Sequence, residues 1–156
     1  NPNELVIILN EVFSIFDDLS TSYNIEKIKT IGDSYFAVGG LNGDPKESAI
    51  SLVLMAKQMV KKLHALNKTI DKMDLQLRIG IHCGDVVTGV IGKHKFAYDL
   101  WGAAVNFASR MESTSEPGKI HISENLHNLI KANFRFTKRE DLNVKGVGNV
   151  DSYFVE

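Results

Sequence analysis

Two charged residues stand four positions apart in a stretch that otherwise favours strands. Lys29 lies within the β-branched and aromatic segment 25–36, and Asp33 follows in a Gly32-Asp33 pair typical of a hairpin turn. A carboxylate presented at a turn is a good metal ligand, and a lysine within a strand is costly to bury unless it binds something. The pair therefore predicts a site for a charged, metal-bound small molecule.

A second group of polar residues surrounds the start of a predicted helix. Asn106 and Arg110 are four residues apart, so their side chains meet on one helix face. An amide beside a guanidinium group suits a ligand in which a sugar is followed by a phosphate, with the amide on the sugar and the guanidinium on the phosphate. Asp99, at the end of the preceding strand, is placed to accept hydrogen bonds. The alternative is a surface Asn/Arg pair with Asp99 as an ordinary loop acid, and spacing alone does not separate the two.

The composition is that of one globular domain and excludes several classes of function. The chain has 156 residues, of which 44% are apolar and 24% are charged. A net charge of −1 leaves no basic excess for nucleic acid. Cys83 is the single cysteine, which excludes an intramolecular disulfide. With no signal peptide and no membrane-length apolar run, we expect a cytoplasmic domain, whether or not its parent protein is attached to a membrane.

The elements that must position these residues are helices interleaved with hairpins. Four helices are predicted. The first covers about 3–24, the second starts at the capping segment 44–47, the third covers 103–113, and the fourth runs from Ser123 to about 132. The predicted strands form hairpins over 25–40 and 75–92, followed by short strands at 96–100, 120–122, 134–137 and 152–155. This order predicts a single α+β domain over residues 1–156, with a ferredoxin-like βαββαβ-type core whose mainly antiparallel sheet is covered by helices.

Five blocks of the sequence, in order, resemble the class III nucleotide cyclase catalytic domain, and together they extend over essentially the whole chain. They read EKIKTIGD at 26–33, LRIGIHCG at 77–84, GVIG at 89–92, YDLWGAAVNFASRMES at 98–113 and VKGVG at 144–148. The resemblance implies closure of ATP or GTP into a 3′,5′-cyclic nucleotide with release of pyrophosphate. It also implies sites shared across a head-to-tail homodimer, with two Mg²⁺ or Mn²⁺ ions at each site.

The same resemblance implies a role for each candidate residue. The roles are metal binding for Asp33, purine selection for Lys29 and Asp99, ribose orientation for Asn106, charge stabilisation at the reacting phosphate for Arg110, and triphosphate binding for Lys145 and Arg78. The second metal-binding aspartate of the family stands on a strand ahead of the helix that begins here near Asn3. We therefore expect a longer parent protein with upstream sensor or regulatory domains, and little or no activity from these 156 residues alone.

The identity of the purine can be argued from hydrogen bonding. Adenine presents an acceptor at N1 and a donor at its exocyclic amine, which match the lysine donor Lys29 and the acceptor Asp99. Guanine presents the reverse, which leaves like groups facing each other at about 1–3 kcal/mol per unpaired buried group. Guanylyl members of the family typically carry glutamate and a small residue at these two positions. We therefore expect an adenylyl cyclase; the alternatives are a guanylyl cyclase and a non-catalytic module that dimerises or regulates.

Asp17 and Asp18 do not replace the second metal aspartate, because the apolar periodicity of 3–24 places them on a helix. We expect them to form a solvated turn of that helix. The apolar face of the same helix is wide, and we expect part of it to be uncovered in this chain.

Overall fold

The computed structural model describes residues 1–70 and 73–156, which form two compact units, residues 1–75 and 76–156. The first unit is a helix, a hairpin and a second helix. Its elements are α1 (Pro2–Ser22), β1 (Glu26–Ile31), β2 (Ser34–Val38) and α2 (Pro45–Asn67). The predicted cap of α2 is confirmed, because the Asp44 carboxylate accepts the Glu47 backbone N–H at 2.9 Å.

The core of the first unit lies between its two helices. Buried apolar residues of α1 recur at three- and four-residue spacing and meet those of α2. They are Val12, Phe16 and Leu19 on α1, and Val53, Ala56, Met59, Leu63 and Leu66 among those on α2. The start of α1 exposes Leu5, Val6 and Ile7, so the expected uncovered face is confirmed.

The predicted hairpin is also confirmed. β1 and β2 pair in antiparallel fashion, and Gly32 in the turn has φ of 58°, a left-handed conformation that glycine adopts without strain. The register shifts between Lys27 and Lys29, which leaves Ile28 as the extra residue of a β-bulge.

The second unit is a four-stranded sheet with two helices and a separate two-stranded ribbon. The sheet has the order β3-β6-β8-β7, and the ribbon pairs β4 with β5. The strands are β3 (Ile79–Ile81), β4 (Val87–Ile91), β5 (Ala97–Trp101), β6 (Ile120–Ser123), β7 (Phe136–Val144) and β8 (Gly148–Val155), and the helices are α3 (Ala103–Ser113) and α4 (Glu124–Ile130). α3 packs on β3 and β6, and α4 packs on β6 and β8. The predicted α+β class, with a mainly antiparallel sheet covered by helices, is confirmed.

The predicted hairpin over 75–92 is wrong. β3 instead pairs in parallel with β6, and β4 pairs with β5. β6 is buried along its whole length, so it needs a neighbour on each side, and β3 supplies one of them. The last two strands are longer than predicted, since β7 and β8 form one long hairpin whose turn contains the VKGVG block.

Candidate functional site

The β1–β2 hairpin presents two of the predicted site residues to solvent. Lys29 pairs with Phe36, and partners in an antiparallel ladder share one face, so Lys29 lies opposite the face that carries Tyr35. Asp33 occupies the turn, and both charged residues are exposed. The expectation that Lys29 is costly to bury therefore does not apply, because this lysine is not buried.

On its other face the hairpin is bonded to α1. The Tyr35 hydroxyl donates to Asp17 Oδ1 at 2.8 Å, and Lys27 Nζ lies 3.0 Å from the same oxygen. Burial, together with the neighbouring Asp17 carboxylate, raises the pKa of Tyr35 from 10.0 to about 12. Asp17 lies on α1 and its side chain is 47% exposed, as the predicted solvated turn requires, but its carboxylate also joins α1 to both strands, which the sequence did not predict. Asp18 is exposed, as expected.

In the second unit, α3 carries the predicted ribose and phosphate residues. The helix begins after Gly102, so Asn106 lies in its second turn and Arg110 one turn later; Asn106 is exposed and Arg110 is half-buried. Asp99 lies in β5, just before the helix, and its Oδ1 accepts the Leu100 backbone N–H at 2.8 Å. This bond orients the half-buried carboxylate.

Arg78 stands immediately before β3 and reaches the same helix. Its Nη2 lies 3.5 Å from Glu112 Oε1 of α3. The approach of strand to helix depends on Gly80, where an added Cβ would lie 2.0 Å from the Glu112 backbone nitrogen. Asn106 and Arg110 therefore lie on α3, Arg78 contacts this helix through Glu112, and Asp99 lies in the strand that precedes it. Lys145 is exposed in the β7–β8 turn.

Two histidines contact or hydrogen-bond to α3, and the sequence predicted no functional role for either. His121 is fully buried, with Nδ1 donating to the Met111 carbonyl oxygen at 2.7 Å and Nε2 lying 2.7 Å from Ser152 Oγ. His82 lies against the Phe107 ring with a centroid distance of 4.4 Å, and its Nδ1 is 2.7 Å from Ser123 Oγ. Burial lowers the pKa of both imidazoles. Each histidine stands between two apolar residues in the sequence, and this was the signal that could have predicted its withdrawal from solvent.

A divalent metal ion needs several oxygen or nitrogen ligands in one place. Within residues 1–70 and 73–156, no group of three or more His, Cys, Asp or Glu side chains is placed to hold a metal ion. Asp33 is an exposed carboxylate at a turn, which suits one oxygen ligand of Mg²⁺ or Mn²⁺. The described residues thus fit part of a metal site and do not complete it.

None of the helices in the described part of the chain is long and apolar enough to cross a bilayer.

Solved structures place this fold among nucleotide cyclase domains. The guanylate cyclase domain of RhGC from Catenaria anguillulae, in complex with GTP, is 32% identical with a TM-score of 0.91, over 100% of this chain and 85% of that one. The adenylyl cyclase CyaB from P. aeruginosa is 28% identical with a TM-score of 0.91, over 99% of this chain and 83% of that one.

The sequence comparisons give the family. All residues, 1–156, match the adenylate and guanylate cyclase catalytic domain. The membrane guanylyl cyclase of Dictyostelium discoideum is 36% identical over 99% of this chain and 10% of its own length. The germination-specific adenylate cyclase of the same organism is 38% identical over 99% of this chain and 18% of its own length. The chain belongs to this family, as its five blocks predicted, and spans less than a fifth of each of these two relatives.

Proposed function

We propose that the chain is the catalytic domain of an adenylyl cyclase, which converts ATP into 3′,5′-cyclic AMP and pyrophosphate. The observation that carries this choice of purine is the pairing of a lysine at position 29 with an aspartate at position 99. Relatives named as adenylate cyclases and as guanylyl cyclases are about equally similar to the chain, so overall similarity does not separate the two substrates. The hydrogen-bonding groups at these two positions are what supports the choice of adenine.

The purine contacts follow from the donors and acceptors available. The Leu100 N–H orients the Asp99 carboxylate, and this carboxylate is an acceptor for the exocyclic amine of adenine. Lys29 has only donors, and its exposed position on a strand lets the ammonium reach ring N1 of a bound adenine. A guanine in this place would set its O6 against Asp99 and its N1–H against Lys29.

The sugar and phosphate contacts follow from α3. Four residues at 1.5 Å per residue separate Asn106 from Arg110 by about 6 Å along the axis, which is comparable to the distance from ribose to α-phosphate. Asn106 orients the ribose. As its 3′-oxygen bonds to the α-phosphorus and the bond to pyrophosphate breaks, Arg110 stabilises the charge on the reacting phosphate. Lys145 and Arg78 bind the remaining phosphates as cations.

Mg²⁺ or Mn²⁺, held by Asp33 and a further carboxylate, would neutralise phosphate charge and favour deprotonation of the ribose 3′-hydroxyl. Asp33 contributes one charged oxygen donor from a turn whose two strands are bonded to α1.

The active site is proposed to be shared between two copies of the domain. Lys29 lies within β1 and Asp33 lies in the turn beyond the end of that strand, so the two residues occupy different points along the hairpin and each can serve a different nucleotide. The β4–β5 ribbon exposes a run of large apolar side chains of the kind that marks an interface. They are Val87, Val90, Ile91 and Phe96, exposed by 67, 60, 59 and 73%. A closed two-fold arrangement then gives two equivalent sites.

The test is to incubate the full-length protein with ATP, GTP and Mn²⁺ and to identify the products by mass spectrometry. We expect cyclic AMP as the main product, and a shift towards cyclic GMP in the Lys29→Glu/Asp99→Cys double variant, since that variant presents the opposite hydrogen-bonding groups. Ser109→Ala, an exposed neighbour on α3, is the matched control and should keep the wild-type preference. Equal cyclisation of both nucleotides by the wild type would contradict the choice of adenine, and absence of both products would favour a non-catalytic module.

A further inference from the structure

One carboxylate of α1 holds both strands of the hairpin that carries Lys29 and Asp33. Asp17 Oδ1 accepts the hydroxyl proton of Tyr35, which belongs to β2. Lys27, which belongs to β1, lies 3.0 Å from Oδ1 and donates to Oδ2 at 3.2 Å. Asp17 therefore bonds to each strand of the ribbon separately.

The ring of Tyr35 is fixed by further contacts with α1. It meets Phe16 edge-on, with ring centroids 5.5 Å apart and planes at 83°. The buried Ser20 places its Oγ 3.0 Å from the Tyr35 oxygen. Since the single phenolic proton is given to Asp17, Ser20 is the donor in this contact. The phenol thus both donates and accepts, and it has little freedom to move.

These contacts leave the proposed functional face of the hairpin accessible. Lys27 pairs with Ala37 and Thr30 pairs with Tyr35, so Lys27 and Tyr35 share the face turned to α1. The register shift after Lys27 places Lys29 beside Phe36 on the other face. The ribbon is held from behind while Lys29 and Asp33 remain exposed.

Of the two bonds to Asp17, the one from Tyr35 is the stronger restraint. The Lys27–Asp17 pair is exposed, at 36% and 47% of the two side chains, and pairs of that kind contribute little. The hydroxyl-to-carboxylate bond is short and partly buried, and it is charge-assisted. Tyr35 is also only two residues from Asp33, so a displaced ring would move the turn.

We propose that Asp17 is a positioning residue for the Asp33 carboxylate, acting through Tyr35 and Lys27. This inference rests on the proposed function, in which Asp33 binds the divalent metal. Loss of the Asp17 contacts would leave the hairpin folded but mobile, and metal affinity would fall because its ligand is no longer held in place. Residues that orient a metal ligand typically contribute on the order of 10-fold to metal affinity.

The experiment compares Asp17→Asn, Tyr35→Phe and Asp33→Asn with wild type in the full-length protein. Asp18→Asn is the matched control, because it makes the same chemical change one residue further along α1 at an exposed side chain. The first measurement is the Mn²⁺ dissociation constant by electron paramagnetic resonance with 3′-deoxy-ATP, which lacks the attacking hydroxyl. The second is amide hydrogen exchange of residues 26–38 in the metal-free protein.

We expect Asp17→Asn and Tyr35→Phe each to weaken Mn²⁺ binding by roughly 10-fold and to speed amide exchange across 26–38, with melting temperatures near that of Asp18→Asn. If Asp17→Asn and Tyr35→Phe bind Mn²⁺ as tightly as wild type while Asp33→Asn binds it more weakly, the positioning role of Asp17 is overturned and the metal ligand stands. Wild-type affinity in Asp33→Asn would instead refute the proposed metal ligand, and the positioning role with it. Tyr35→Phe removes only a hydroxyl, so it keeps the test decisive if Asp17→Asn folds poorly.

Discussion

Arg110 and Asn106 share one face of α3, yet their exposure to solvent differs. Asn106 is exposed, whereas Arg110 is half-buried. A guanidinium that is partly withdrawn from water and carried on a packed helix is already oriented, so it reorganises little when charge develops on a phosphate. That environment suits a group whose contribution is largest in the transition state.

At the residue scale we predict that Arg110→Lys lowers kcat on the order of 10²-fold with little change in the KM for ATP, because a lysine keeps the charge and loses the planar fork. Steady-state kinetics of the full-length protein would measure this, with Ser109→Ala as the control. A rise in KM with unchanged kcat would show that Arg110 only binds the ground state.

The same variant also tests whether the site is shared. If Asp33 and Arg110 serve one nucleotide from different copies, an Asp33→Asn protein mixed with an Arg110→Lys protein forms mixed dimers that contain one intact site. We expect the mixture to be more active than either variant alone. No recovery, with mixed dimers demonstrated by a tag on one partner, would contradict the shared site.

At the scale of elements, the contact between β3 and α3 determines where Arg78 lies. The strand approaches the helix so closely that Gly80 has no room for a side chain; the nearest atoms are the Glu112 nitrogen at 2.0 Å and the Met111 carbonyl carbon at 2.5 Å. All of these atoms are backbone, so no side-chain rotation can relieve a clash, and strand and helix must separate.

We predict that Gly80→Ala destabilises the protein by about 3 kcal/mol or more, at the upper end of the range for overpacking. The Arg78–Glu112 contact should be lost as the elements separate, and the KM for ATP should rise with it. Calorimetric unfolding measures the first effect. The control is Gly43→Ala, since a Cβ at Gly43 meets nothing within 4 Å. Equal melting temperatures for the two variants would show that β3 and α3 adjust without cost.

The sequence predicted those features of these elements that depend on contacts between residues close together in the chain. The caps by Asp44 and Ser123 each involve a residue three positions away, and both were predictable. The parallel pairing of Ile79 with Ile120 joins distant parts of the chain, and alternating apolar residues do not identify a strand's partner. The bond from Tyr35 to Asp17 spans 18 residues, so Asp17 resembled any solvated helical acid.

For the whole molecule, the buried His121 and the half-buried His82 make stability depend on pH. Burial is the largest influence on the His121 imidazole and lowers its pKa. The bond to the Met111 carbonyl raises that pKa, and of the charged groups nearby Arg139 lowers it and Glu116 raises it. Burial alone lowers the pKa of His82. Both imidazoles are therefore favoured as neutral rings in the folded protein. Unfolded chains bind a proton at these positions near the ordinary pKa of 6.5.

We predict that the free energy of unfolding is fully developed above about pH 6.5 and falls as pH is lowered towards the folded-state pKa values, because the unfolded chain binds more protons in that interval. Each histidine contributes at most about 1.4 kcal/mol per pH unit. Urea unfolding between pH 8 and pH 5 would measure the slope. His121→Asn should be less stable at pH 8, since its bonds to Met111 and Ser152 are lost, and should show a shallower slope. His94→Asn, at an exposed position, serves as control and should keep the wild-type pH dependence of the free energy of unfolding. If the slopes of His94→Asn and His121→Asn are equal, the proton taken up on unfolding is not bound by His121.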